Sequence, residues 1–260
     1  MQRYFVPREQ FFDTEVVLSG EDARHAARVM RMKPGDEMIV SDGAGREARV
    51  SVTEIGSAGG EVRADIVELL PADREPKWQV TIAQALPKGD KMELVIQKGT
   101  EIGAFAFVPF QSERMIVQYD ARKEAKRIER WQRIAKEAAE QSHRSRVPLV
   151  ADVYSWRELI ALAGEYDLTL FCYEKEGSAG AGIRSALQAA ADRSAFPTDD
   201  AVKVLLIVGP EGGFTEKEAA EAEAAGATVV GLGKRILRAE TAGLVGLACI
   251  MYESGEMGGD

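Results

Sequence analysis

The first 70 residues contain short stretches in which apolar and polar side chains alternate, the period of a half-buried β-strand. Four stretches follow this pattern: residues 3–6, 38–41, 47–55 and 60–69. Glycine-rich turns such as residues 42–45 separate them. One helical stretch, residues 21–32, interrupts the strands; Ser19 or Asp22 could cap its start, and Pro34 and Gly35 mark its end. We therefore expect a small β-barrel with one helix.

Beyond residue 77 the pattern changes to alternating strands and helices. Predicted strands cover residues 78–85, 105–110, 149–153, 168–173, 202–208 and 228–232. Predicted helices cover residues 90–102, 121–143, 156–163, 183–191, 216–225 and 241–252. This alternation predicts an α/β fold with a largely parallel sheet between helices. The polar, proline-bracketed residues 71–76 suit a linker, so we expect domains at 1–71 and 72–260.

Composition places the chain among ordinary globular proteins, with 45% hydrophobic and 29% charged residues. The longest apolar stretch, residues 242–252, is too short for a membrane span, which needs about 20 residues. The N-terminus lacks the apolar segment of a signal peptide. We therefore expect a cytoplasmic protein without a membrane partner.

The net charge of −9 argues against a nucleic-acid partner, but charge is unevenly distributed. Residues 121–146 hold nine basic and four acidic side chains, whereas residues 199–260 hold five basic and eleven acidic ones. Residues 24–33 form a second basic cluster. Such segregation is typical of a protein that presents a basic surface to an anionic partner. The alternative for the 121–146 helix is a solvated face with pairs such as Lys136 and Glu140.

Cysteine and histidine usage gives no support to metal chemistry. Cys172 and Cys249 each lie in an apolar run, which predicts two buried thiols. His25 and His143 are far apart, and no Cys or His cluster has the spacing of metal ligands. We expect no metal.

Two glycine-bearing turns follow buried strands near the C-terminus. The run 202–208 reads as a strand buried on both faces, and Gly209, Gly212 and Gly213 follow it at the sheet edge where ligands bind in α/β folds. Thr215 and Glu218 form a capping box for the next helix. The loop has neither a dinucleotide-binding nor a phosphate-binding signature. A plain tight turn is the alternative, although it does not readily explain three glycines.

The second turn, residues 231–242, leads into the last apolar helix. Glu240 would suit the positive end of the helix dipole there, and Thr241 could cap it. Capping and surface salt bridges could account for Arg238, Glu240 and Thr241. The two turns together predict a ligand pocket.

The sequences GPEGGFT at residues 209–215 and LGKRILRAETA at residues 232–242 resemble motifs of the RsmE family of 16S rRNA uracil-N3 methyltransferases. The resemblance extends to residues 88–103, 131–142 and 3–5, and so spans nearly the whole chain. It implies a trefoil-knotted SPOUT methyltransferase domain, an N-terminal PUA-like RNA-binding barrel and a homodimer. The implied reaction is metal-free, in-line methylation of uracil N3, at uridine 1498 of the small ribosomal subunit, by S-adenosylmethionine.

The resemblance also implies site residues. The implied cofactor contacts are Leu170, Cys172, Val208, Gly209, Pro210, Glu211, Gly212, Gly213, Leu232, Gly233, Ile236, Leu237, Arg238, Thr241 and Ala242. Losing the N3 proton needs a stabilising cation, for which Arg238 is the candidate, or a base, for which Glu240 is the candidate. Expected contacts with 16S rRNA or the small subunit are Arg24, Arg28, Arg31, Lys33, Arg114, Arg122, Lys126, Arg130 and Arg144.

Three interpretations remain open at this point. A knotted methyltransferase acting on a ribose 2′-oxygen would share the fold and the cofactor. A non-enzymatic RNA-binding protein could keep the fold as well. The helix around residues 90–102 carries family residues, yet Met92, Leu94 and Ile96 could simply face inward at an interface.

Overall fold

The computed structural model describes residues 1–71, 74–115, 121–173, 181–193, 196–197 and 201–259, with the side chains of Ala58, Ala121 and Arg122 also left out. The chain divides into two compact units. The first comprises Met1–Glu75 and Ala139–Val147, and the second comprises Pro76–Ala138 and Pro148–Asp260. Across the described residues, no helix is both long and apolar enough to cross a membrane.

The first unit is built on a five-stranded sheet in the order β1-β3-β4-β5-β2. Its strands are β1 (Arg3–Phe5), β2 (Glu15–Ser19), β3 (Glu37–Ser41), β4 (Glu47–Ile55) and β5 (Glu61–Leu70). The pairing of β4 with β5 contains two register shifts, and such irregularities bend and twist a sheet. The core between the strands includes Tyr4, Leu18, Met38 and Val50. The sequence pattern missed β2, because its three consecutive apolar residues do not alternate.

The predicted helical stretch over residues 21–32 is confirmed for residues 21–29, but it ends three residues early and is not a regular α-helix throughout. Helix α1 (Gly20–Arg24) continues as a π-helical turn over His25–Val29. Ser19 precedes α1 without capping it through its side chain. The turn ends because Arg31 adopts a left-handed conformation (φ 55°), which lets the Met32 N–H donate to the carbonyl of Ala26 at 3.1 Å.

The second unit contains an eight-stranded sheet in which every pairing is parallel, as predicted. The main path runs β11-β13-β10-β12-β6-β7-β8, and β9 also pairs with β7. The strands are β6 (Trp78–Ala85), β7 (Ala106–Gln111), β8 (Leu149–Val150), β9 (Tyr154–Ser155), β10 (Leu168–Cys172), β11 (Ala181–Gly182), β12 (Val202–Val208) and β13 (Thr228–Gly231). The helices are α2 (Lys91–Ile102), α3 (Ala121–Gln141), α4 (Trp156–Leu162), α5 (Ile183–Asp192), α6 (Glu216–Ala224) and α7 (Ala239–Glu253).

Helices α2 and α7 pack closely on the sheet through glycines. A β-carbon on Gly246 would lie 2.8 Å from Leu206 Cδ2, and one on Gly99 would lie 2.7 Å from Phe107 Cε1. Met92 and Ile96 are buried, whereas Leu94 is 43% exposed, so only two of these three side chains face the interior of this chain. Cys249 is also exposed rather than buried, because it does not lie on the face of α7 that is packed against the core. An apolar run therefore does not by itself show which of its residues face the core.

Candidate active site

Three neighbouring parallel strands end together at one edge of the second unit's sheet. Cys172 of β10 pairs in register with Val208 of β12 and with Val230 of β13. Because parallel strands share a direction, the loops that follow them meet at this edge. A cavity of about 830 Å³ lies there. The two glycine-bearing turns are thus brought together by strand order.

Most of the predicted cofactor residues line this cavity. They are Cys172, Val208, Gly209, Pro210, Glu211, Gly212, Gly213, Leu232, Gly233, Ile236, Leu237, Arg238 and Ala242. Among the described residues, Leu170 and Thr241 do not belong to the lining. Leu170 is fully buried two residues before the end of β10. The lining also includes Tyr173 and Ala239, which lie within the predicted segments, and Arg114, which was expected to contact RNA. The lining residues that were not predicted are Lys91, Phe214, Glu216, Val230, Gly231 and Arg235.

The loop after β12 is held against an aromatic cluster. Phe214 is buried, and its ring centroid lies 4.3 Å from that of Phe171 and 5.7 Å from that of Trp156. A β-carbon on Gly209 would lie 2.8 Å from Phe214 Cε2, so this close approach requires glycine. Gly213 has a φ of 68°, which also favours glycine. The cavity wall is therefore preformed backbone resting on packed rings.

Glu218 joins this loop to the end of β7, which lies two strands away from β12 in the sheet. The predicted capping box of Thr215 and Glu218 is confirmed at the start of α6. The buried Glu218 carboxylate also accepts hydrogen bonds from Ser112 Oγ (2.8 Å) and the Glu113 N–H (2.9 Å). Sequence analysis missed these contacts, since residues more than 100 positions apart leave no local pattern.

Glu218→Gln is expected to lower the free energy of unfolding by about 1–3 kcal/mol, the cost of leaving buried hydrogen-bond donors unpaired. The amide nitrogen of Gln cannot accept from Ser112, Glu113 or Thr215, which together occupy both carboxylate oxygens. Urea unfolding measures the change. Glu216→Gln is the matched control, because Glu216 also lies in the first turn of α6 but is exposed. Equal losses in both variants would contradict a specific role for the buried carboxylate.

Arg238 lies where α7 begins. It is the N-cap residue, and its carbonyl accepts the N–H groups of Thr241 and Ala242, both at 2.9 Å. The predicted cap at Thr241 is therefore wrong, because Thr241 lies within the first helical turn. The Arg238 side chain is exposed and lines the cavity. A permanent cation thus borders the ligand space.

Lys91 connects the two cavity loops. Its Nζ lies 3.0 Å from Glu211 Oε1 in the first loop and 3.3 Å from Glu240 Oε2 at the start of α7. The hydrogen bond to Glu211 and the nearby Glu240 raise the pKa of Lys91. Burial opposes the ionisation of Glu211, but hydrogen bonds from Lys91 and the Lys88 N–H outweigh it and lower the Glu211 pKa. These charges hold the two loops in place.

The candidate base Glu240 lies beside Lys91 and outside the described cavity lining. Its carboxylate faces Lys91, and within the described part of the chain Glu240 is not among the cavity-lining residues. The sequence could not reveal this, because Lys91 lies far from Glu240 along the chain. This geometry supports a role in holding Lys91 rather than removal of a substrate proton.

Cys172 lines the cavity as a protonated thiol. Burial raises its pKa to about 12. In a Cys249→Ala variant, which leaves Cys172 as the only thiol, native protein at pH 8 is expected to resist alkylation by iodoacetamide, because thiolate is the reactive species. Mass spectrometry measures the labelling, and denatured protein should label fully. Native labelling at the rate of a free thiol would contradict the raised pKa.

No cluster of three His, Cys, Asp or Glu side chains that could hold a metal ion occurs among the described residues.

The predicted RNA-contacting residues fall into distinct environments. Arg24, Arg28, Arg31, Lys33 and Lys126 are exposed, whereas the side chain of Arg122 lies outside the described residues. Arg130 Nη2 pairs with Glu93 Oε2 at 2.8 Å, and Arg114 Nη1 donates to the Gly212 carbonyl at 3.3 Å on the cavity rim.

The expectation that Arg144 contacts RNA is contradicted. Arg144 is only 5% exposed and pairs with Glu75 inside the first unit. Glu75 also accepts the N–H groups of Ser145 (3.0 Å) and Arg146 (3.1 Å). A count of charges cannot distinguish a surface cation from one that a distant carboxylate holds in place.

The chain matches two known domain families and a well-covered relative. A model of the RNA methyltransferase domain matches residues 73–251, and a model of the RNA methyltransferase PUA domain matches residues 18–64. Ribosomal RNA small subunit methyltransferase E of Bacillus subtilis is 40% identical over 263 aligned positions, covering 100% of both chains.

Two solved structures are similar over nearly the whole chain. One is ribosomal RNA small subunit methyltransferase E from Neisseria gonorrhoeae bound to S-adenosyl methionine, with a TM-score of 0.80, 31% identity and 97% coverage of each chain. The other is a putative methyltransferase from Legionella pneumophila in complex with the same cofactor, with a TM-score of 0.79, 28% identity and 96% coverage of each chain.

Proposed function

Because the chain belongs to the family of ribosomal RNA small subunit methyltransferase E, and is thus an RNA methyltransferase that uses S-adenosylmethionine, we propose that it methylates uracil N3 in 16S rRNA, at uridine 1498. The family match confirms the predicted methyltransferase domain and the N-terminal PUA domain. The observation that carries the proposal is the cavity at the strand ends, where two glycine-bearing loops and the Arg238 cation meet.

The cavity residues fit S-adenosylmethionine. The cavity volume of about 830 Å³ lies in the range of small-molecule sites, which span roughly 300–1,000 Å³. Gly209, Gly212, Gly213 and Gly233 bring bare backbone to the surface, where peptide groups can bind the adenine and ribose. Val208 and Leu237 contribute apolar side chains to the cavity wall. We assign the cofactor to the predicted residues that line the cavity, except for the Arg238 side chain, which we assign to the uracil.

The bound cofactor supplies a methyl group on a positively charged sulfonium, so the protein has to position the acceptor and favour its ionisation. Uracil N3 carries a proton, which must pass to solvent before the nitrogen can displace the neutral thioether from the methyl group. The Arg238 guanidinium keeps its charge and can pair with a uracil carbonyl in one plane, which stabilises the anion as the proton leaves. Lys91, bound to Glu211 and Glu240, keeps both cofactor loops in register during this step.

A methylation assay tests the proposal directly. Protein, S-adenosylmethionine and either free 16S rRNA or small subunits are incubated, and the nucleosides are analysed by mass spectrometry. We expect 3-methyluridine at one site. Methyl on a ribose 2′-oxygen would overturn the choice of acceptor atom, and failure to bind S-adenosylmethionine in calorimetric titration would indicate a non-enzymatic RNA-binding protein.

We place the reaction in the cytoplasm and propose that the enzyme acts as a homodimer. Exposed apolar side chains on two packed helices support the dimer: these are Cys249 and Tyr252 on α7 and Leu94 on α2. Light scattering of the purified chain should give twice the mass of 28.3 kDa. A mass of one chain at micromolar concentration would exclude a stable dimer. The trefoil knot remains a prediction of the family resemblance.

A further inference from the structure

A short segment of the first unit exposes apolar side chains between cations. Val29 is 65% exposed and Met30 is 45% exposed, and they are consecutive at the end of the π-helical turn. Arg24, Arg28, Arg31 and Lys33 are exposed around them, and residues 24–33 contain no carboxylate. We call Val29, Met30, Arg31 and Lys33 the apolar tip.

The backbone of the apolar tip is held in an uncommon conformation. In the π turn the Met30 N–H donates a hydrogen bond to the His25 carbonyl at 3.0 Å. The next residue, Arg31, has a φ of 55°. Long side chains rarely adopt this left-handed region, and π turns often occur at functional sites. Ala23 and Ala26 are completely buried beneath the tip, so the core fixes its base. The neighbouring turn also supports it, since a β-carbon on Gly59 would lie 2.9 Å from Ala27 Cβ.

The combination of exposed cations and exposed apolar side chains favours one class of partner. Cations beside exposed aliphatic and thioether groups are complementary to a polyanion that also offers apolar faces. Unpaired or bulged RNA fits, because its splayed bases present flat apolar surfaces beside phosphates. A regular RNA duplex fits poorly, because its bases are stacked inside. Apolar wedges between bases, flanked by phosphate-binding cations, are an established mode of nucleic-acid recognition.

We propose that the apolar tip packs Val29 and Met30 against unstacked bases of the rRNA, while Arg31 and Lys33 hold the flanking phosphates. The inference rests on the proposed function in one respect only, that the substrate is rRNA. It assigns non-duplex recognition to this segment, separately from the cofactor cavity.

Binding measurements on the full chain can test the two kinds of contact separately. The double variant Val29→Ser/Met30→Ser is compared with Val67→Ser/Leu69→Ser, a matched control in the same unit whose residues are 48% and 65% exposed. Affinity for a 16S rRNA fragment with an internal loop is measured over a range of salt concentrations. We expect about tenfold or more weaker binding for the tip variant at every salt concentration, with no change in the salt slope. The control should bind like the wild type.

Substituting the two cations should instead change the salt dependence of RNA binding. Arg31→Gln/Lys33→Gln is expected to reduce the steepness of the logarithmic salt dependence by roughly 1.4–1.8, since each lost phosphate contact removes about 0.7–0.9. Met30→Phe should retain or tighten binding, because an aromatic ring stacks on a base at least as well as a thioether. A fully paired RNA duplex of similar length should not distinguish the tip variant from the wild type.

Several outcomes would overturn the inference. These are unchanged rRNA affinity in the Val29→Ser/Met30→Ser variant, which would assign the tip to a protein partner, or equal losses in the Val67→Ser/Leu69→Ser control. Calorimetric titration with S-adenosylmethionine serves as the fold check, and the tip variant should bind it like the wild type. If the wild-type protein fails to bind the rRNA fragment, the proposed function fails; if only the tip variants behave otherwise than expected, the function stands and the tip assignment is wrong.

Discussion

Arg238→Ala is expected to slow methyl transfer by about 10²–10³-fold, the usual effect of removing one preorganised group that stabilises developing negative charge. Affinity for S-adenosylmethionine should stay nearly unchanged. The reason is that the Arg238 side chain is exposed at the border of the cavity. Its backbone carbonyl, which accepts the first hydrogen bonds of α7, is kept by the substitution. The single-turnover rate on 16S rRNA and calorimetric cofactor binding measure the two effects separately.

Two further variants make the Arg238 test specific. Lys234→Ala is the matched control, because Lys234 is an exposed cation of the same loop and does not belong to the described cavity lining. Arg238→Lys should recover only part of the rate, since an ammonium keeps the charge but loses the planar pair with a uracil carbonyl. Parallel loss of rate and cofactor affinity in Arg238→Ala would make this residue a cofactor ligand instead.

Gly209→Ala is expected to weaken S-adenosylmethionine binding about tenfold or more, because overpacking of this kind typically costs about 1–3 kcal/mol. The new β-carbon would lie 2.8 Å from Phe214 Cε2 and 3.0 Å from Phe214 Cδ2. Phe214 cannot easily yield, since it is only 3% exposed and packs on Phe171. The loop itself therefore has to move, and the peptide groups that face the cavity move with it. Calorimetric titration measures the affinity.

Gly164→Ala provides the control for this substitution. A β-carbon on Gly164 would meet no atom within 4 Å, and the residue lies in a 3-10 turn, where alanine is tolerated. The variant should leave cofactor affinity unchanged. If Gly209→Ala binds the cofactor as tightly as Gly164→Ala does, the close approach to Phe214 has no part in shaping the site.

Local sequence signals predicted the fold well where a single segment carries the information. The buried strand β12 and the capping box at Thr215 lie where the pattern placed them, because burial on both faces and capping depend on neighbours along the chain. The helix over residues 21–32 was predicted less well. Its π turn and the left-handed Arg31 depend on packing against the rest of the first unit. The periodicity of apolar residues along the chain does not indicate such packing.

The two loops that line the cavity were predicted from sequence, but the arrangement of charge around them was not. Glycines concentrated after a buried strand identified residues 209–213 as a ligand loop. The partners of Glu218 and the position of Lys91 between Glu211 and Glu240 could not be found this way, since they come from other strands and helices. The same reason explains Arg144, which was expected on a basic surface and is buried against Glu75.

The amino-acid sequence alone determined the class of the protein: a parallel α/β domain, a small N-terminal sheet and a pocket of two glycine-bearing turns. These follow from periodicity, glycine placement and strand burial, which act over a few residues. Only the tertiary structure decided which polar groups face that pocket. Arg238 borders the ligand space, whereas Glu240 turns to Lys91, because the direction of a side chain depends on charges and rings that distant segments bring beside it.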